Sequence, residues 1–63
     1  MLFGKIVELF TDDTNIYLTD KNENVIESKT AKEFKKDRLA YCCEIGKIEP
    51  IDMFSVEMQL ADI

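Results

Sequence analysis

Apolar and polar positions change their period along this chain. Phe3, Ile6, Val7 and Phe10 recur at i, i+3, i+4 and i+7, leaving Lys5 and Glu8 for water. That spacing predicts a helix over residues 1–10. Gly4 weakens it by about 1 kcal/mol, and Val7 and Leu9 also suit an extended strand, the alternative for this segment. Thr11-Asp12-Asp13-Thr14 breaks the pattern as a turn. From Asn15 to Thr19 the period becomes two, with Ile16 and Leu18 on one side and Tyr17 on the other. Asp20-Lys21-Asn22-Glu23-Asn24 is a polar connection, and Val25-Ile26-Glu27-Ser28 supplies the second strand of a hairpin.

Thr30-Ala31-Lys32-Glu33 has the form of a capping box, in which a threonine and a glutamate satisfy amides at a helix start. A short helix to about residue 37 follows, with Ala31 and Phe34 as its apolar face. Leu39, Tyr41, Cys43 and Ile45 alternate and predict a third strand over about residues 40–49. Gly46 with Ile48 breaks its phase, the mark of a bulge or bend. Pro50-Ile51-Asp52 reads as the next turn. Phe54, Val56, Met58 and Leu60 then alternate with Ser55, Glu57, Gln59 and Ala61 in the clearest strand pattern of the chain. The expected fold class is therefore α+β, one domain over residues 1–63. Its order is helix-strand-strand-helix-strand-strand, a four-stranded antiparallel sheet with both helices on one face. The expected core is Ile6, Phe10, Ile16, Leu18, Phe34, Ile45, Val56 and Met58.

Composition narrows the chemistry. With 63 residues the chain makes a single domain, one that buries only about 60% of its unfolded surface. It has no histidine, which removes imidazole-dependent nucleophile activation and His-ligated metal sites. Cys42 and Cys43 are adjacent, so they form neither a CxxC motif nor a disulfide framework, and they read as reduced thiols of a cytoplasmic protein. No apolar run approaches the roughly 20 residues that span a bilayer, and no signal peptide follows Met1, so no membrane association is expected. Net charge is −5, unevenly spread. Residues 1–28 hold two lysines against six acids, and residues 39–63 hold one lysine against five. Residues 29–38 hold four lysines and Arg38 against Glu33 and Asp37. One short basic element sits in an acidic molecule, read first as a solvated helix face with balancing charges and, as the alternative, as a bipolar surface able to pair with copies of itself.

Asp12 and Asp13 are the obvious carboxylate pair, but nothing nearby completes an acid–base or metal site, and turn chemistry explains them. Asp20 opens a calcium-like D-x-N-x-N run that fails at Val25, where the loop needs glycine, and at Ala31, where it needs glutamate. Direct nucleic-acid binding through Lys29–Arg38 is disfavoured by the acidic balance and by Phe34 being needed for the core. Cys43 lacks an activating base. No catalytic residue, metal or cofactor is expected, and the protein is read as a non-enzyme. Tyr17 and Tyr41 are each read either as an amphipathic tyrosine at the rim of the core or as the outward member of a strand, where aromatics favour interfaces. Met53, Phe54 and Met58 suit either core packing or an adaptable contact surface.

Leu9-Phe10-Thr11-Asp12-Asp13-Thr14-Asn15-Ile16-Tyr17-Leu18-Thr19-Asp20, a helix end, acidic turn and alternating strand, resembles small uncharacterised proteins encoded by phages and prophages of Gram-positive bacteria. Asn24-Val25-Ile26-Glu27-Ser28-Lys29-Thr30-Ala31-Lys32-Glu33-Phe34 fits their strand-then-helix pattern, and Cys43 to Ile48 with Phe54 to Leu60 fits their closing strand pair. The resemblance implies a mobile-element setting, in which small acidic proteins inhibit host defence, including CRISPR nucleases, or redirect host machinery. The expected function is a phage-type inhibitor that binds a basic, nucleic-acid-handling host protein, with Asp12, Asp13, Tyr17, Tyr41 and Glu57 as contact residues. A homodimer covering a sheet edge is also expected. The alternatives are an oligomeric sponge or sensor for a small nucleotide signal, and a structural prophage protein without activity.

Overall fold

A computed structural model of the chain describes residues 2–37 and 42–61. Its elements run α1 (Phe3–Val7), β1 (Asn15–Thr19), β2 (Val25–Thr30), α2 (Ala31–Lys36), β3 (Ile45–Asp52) and β4 (Ser55–Leu60). The α+β class and the element order match the expectation. The sheet order is β2-β1-β4-β3.

The sheet is mixed where an antiparallel one was expected. Each hairpin is antiparallel, but β1 and β4 meet in parallel, from Asn15 opposite Ser55 to Thr19 opposite Gln59. Side-chain character explains which strands take the centre. Ile16, Leu18, Val56, Met58 and Leu60, all on β1 and β4, are buried. Glu27 of β2 pairs with Leu18, and Lys29 with Ile16, so β2 carries charges on its inner face and belongs at an edge. Pro50 lies within β3, not in the turn expected at Pro50-Ile51-Asp52. On an edge strand its missing N–H need not break a ladder bond. The turn is Met53-Phe54 instead, where the Phe54 amide donates to Asp52 Oδ1 at 2.8 Å. The third strand thus starts and ends later than the expected 40–49, and the part of that expectation resting on Leu39 to Tyr41 lies outside the described residues.

Both helices lie against one face of the sheet. α1 is shorter than the expected residues 1–10, but Phe3, Ile6 and Val7 are buried as its spacing requires. Phe10, expected in the core, is only partly buried and packs against its rim, because the helix has already ended. The Phe3 and Phe34 rings meet edge to face, 5.0 Å between centroids at 83°, and join the two helices. The capping box is present: Glu33 N–H donates to Thr30 Oγ1 at 3.3 Å, and Thr30 N–H to Glu33 Oε1 at 3.4 Å. Two further amides at the start of α2 donate to the loop before β1, Ala31 to Thr14 O at 2.8 Å and Lys32 to Asp12 O at 3.2 Å. Of the other expected core residues, Ile6, Ile16, Leu18, Phe34, Ile45, Val56 and Met58 are all buried.

Candidate interaction surface

The face of the sheet away from the helices is polar, and strand register arranges it in rows. The middle row reads Ser28, Tyr17, Glu57 and Glu49 across β2, β1, β4 and β3. The next row reads Val25, Thr19, Gln59 and Lys47. Alternation forces this: with Val56, Met58 and Leu60 committed to the core, Ser55, Glu57 and Gln59 must stand on the other side.

Hydrogen bonds hold these polar groups in place. Thr19, only 1% exposed, donates through Oγ1 to Glu57 Oε2 at 3.2 Å. Gln59 Nε2 donates to the carbonyls of Asp20 at 3.1 Å and Lys21 at 3.4 Å, tying the β1–β2 turn to β4. Lys47 pairs with Glu49 at 2.8 Å, both about half exposed. Its ammonium is held above the ordinary lysine range, first by the hydrogen bond it donates to Glu49 and then by that carboxylate's charge, with Glu23 and Glu57 adding attraction. One cation therefore sits among three carboxylates, and the surface around it is net acidic.

Register brings Tyr17 and Glu57 together as direct cross-strand neighbours. Asp12 and Asp13 lie elsewhere, in the turn beside α2. The Asp12 carboxylate accepts from Lys35 Nζ at 2.8 Å, a contact that draws its pKa below the usual value. Asp12 thus latches the loop to the helix, while Asp13 is exposed beside it. Tyr41 lies outside the described residues. As a contact residue on β4 the sequence pattern singled out Glu57, and it missed Thr19, Gln59, Lys47 and Glu49. The two-residue period that identified Glu57 was sufficient for Gln59, but which strands flank β4 was not readable from it.

Met58 is buried, whereas Met53 and Phe54 are exposed at the β3–β4 turn. That separates the core role from the surface role among the three. Among the described residues no helix is long and apolar enough to cross a membrane. No family model, curated protein or solved structure matches the chain.

Proposed function

We propose that this protein is a non-enzymatic acidic interaction module that binds a basic, nucleic-acid-handling protein. In its most concrete form it is a phage-type inhibitor of a host defence enzyme, the setting implied by the resemblance of its strand and turn segments. The observation that supports this reading is the middle row of the open sheet face, where Tyr17, Glu57 and Glu49 stand side by side on adjacent strands. Carboxylates held at strand spacing offer a basic groove an alternative to phosphates, and the tyrosine adds an aromatic contact with little rotamer freedom to lose. Inhibition then follows from occupancy: while the acidic face fills the groove, nucleic acid cannot enter.

The test is affinity capture from a bacterial lysate on the immobilised protein, run beside an E49K/E57K double variant. Retention of a basic nucleic-acid-binding protein that duplex DNA displaces, that salt weakens and that the variant fails to hold supports the reading. Tight binding of plain duplex DNA to the protein itself overturns it. Salt-insensitive binding of a small nucleotide between subunits replaces it with the sponge.

A further inference from the structure

The turn between β3 and β4 carries large apolar side chains where a tight hairpin ordinarily has glycine, asparagine or aspartate. Met53 is 91% exposed and Phe54 65%. The backbone closes this turn without them. Phe54 N–H donates to Asp52 Oδ1 at 2.8 Å, and Asn15 N–H donates to the Phe54 carbonyl at 2.7 Å. The Met53 thioether therefore stands in water, almost free of packing.

Met58 on the same hairpin is the opposite case. Alternation along β4 turns it inward, into the core that Leu18, Phe34 and Val56 share, where it is fully buried. Oxidation of a thioether follows its access to the oxidant and converts an apolar group into a polar sulfoxide. At Met58 the added oxygen would be a buried acceptor without a donor, which the core disfavours. An oxidant reaches that sulfur only when the domain opens. At Met53 the added oxygen meets water, and the turn keeps every backbone bond that closes it.

We infer that Met53 is a modification site of the folded chain, taking one oxygen atom from hydrogen peroxide while Met58 stays reduced. The Met53 sulfur attacks one peroxide oxygen, the S–O bond forms and the O–O bond breaks. Both peroxide protons leave with the second oxygen as water, so sulfur is oxidised by the electron pair that reduces the peroxide. Peroxide is neutral, and neither Asp52 nor the acidic sheet face repels it. The product turns an apolar hairpin tip into a polar one and leaves the core untouched. A methionine sulfoxide reductase returns the thioether, a pair of thiols becoming a disulfide and the oxygen leaving as water. The site stands whether or not the partner proposed above exists, and its test needs this chain alone.

Cleavage after Glu44 and Glu57 places Met53 and Met58 on separate fragments, residues 45–57 and 58–63, neither of which holds a cysteine. Mass spectrometry of these fragments after timed peroxide treatment of the folded protein reads the outcome. Fragment 45–57 is expected to gain one oxygen about a hundredfold or more faster than fragment 58–63. In denaturant the two rates converge. The Met53→Leu variant takes up no oxygen on fragment 45–57 and serves as the control for thiol oxidation at Cys42 and Cys43. Wild type oxidised at Met53 keeps the thermal midpoint of the equally treated variant. Equal rates on the two fragments of the folded protein overturn the inference, as does a fragment 45–57 that stays unmodified. So does a midpoint that falls well below that of the treated variant, since the Met53 side chain would then be part of the packed fold.

Discussion

Thr19 and Glu57, 38 positions apart in sequence, share a hydrogen bond of 3.2 Å on the open face of the sheet. The threonine is almost fully buried by its neighbours although it points away from the hydrophobic core. Substituting Thr19→Val keeps the shape but leaves the carboxylate without this donor. The expected loss is about 1 kcal/mol, read as a lower denaturant midpoint with an unchanged slope. An unchanged midpoint would show that the hydroxyl contributes no net stability and that Glu57 is held by its strand alone.

The methionines give a paired prediction. Met58 is fully buried between Leu18 and Ile48 of the flanking strands, whereas Met53 is 91% exposed. Met58→Ala should cost about 2–4 kcal/mol by leaving a cavity under the helices. Met53→Ala should stay within about 0.5 kcal/mol of the parent, as surface changes usually do. In so small a domain the first difference is a large share of total stability. Equal midpoints for the two variants would mean that the phase of β4 is inverted.

Much of the fold was legible because local rules and the core agree. The alternation from Phe54 to Leu60 set the faces of β4, and Thr30 with Glu33 marked the start of α2. Strand order was not legible, since a two-residue period assigns faces but says nothing about which strand lies beside which. The parallel contact of β1 with β4 joins segments about 40 residues apart and follows from the charges on β2 and the proline on β3, clues of edge status rather than of pairing. Pro50 shows the limit from the other side: a residue that usually marks a turn is compatible with a strand at the edge of the sheet. For the candidate surface, Tyr17 and Glu57 were each readable as outward residues. Their adjacency required the three-dimensional register.

Glu23 is the one non-glycine residue among those described with a positive φ, 66°. It sits in the β1–β2 turn, where Asp20 Oδ1 accepts from the amides of Asn22 at 2.8 Å and Asn24 at 3.0 Å, and Glu23 N–H donates to Asp20 O at 3.0 Å. These bonds hold the backbone in a left-handed conformation that glutamate disfavours. Glu23→Asn should therefore raise stability by up to about 1 kcal/mol, because asparagine tolerates that region without the entropy penalty of glycine. A fall in the thermal midpoint would place the value of Glu23 in its attraction to Lys47 instead.

Acid should loosen the link between the β1 approach and α2. The Asp12 carboxylate is held below its ordinary value of 3.8, first by the hydrogen bond from Lys35 and then by that cation's charge, with Lys32 and Lys36 adding to it. A carboxyl whose folded pKa is depressed binds fewer protons folded than unfolded. Its contribution is therefore complete above the unfolded value and disappears as pH falls through the folded one. Asp20 is lowered in the same direction by the amide of Asn24, its side chain and the amide of Asn22, so two carboxylates shape the acid limb. Asp12→Asn should remove one of them: the thermal midpoint of the variant falls less steeply than the parent's below about pH 4. At neutral pH the variant should lie slightly lower, since the exposed pair with Lys35 is worth little in water. Parallel acid limbs for the two proteins would show that Lys35 stabilises the loop through its bond to the Phe10 carbonyl, at 3.3 Å, and not through the Asp12 charge.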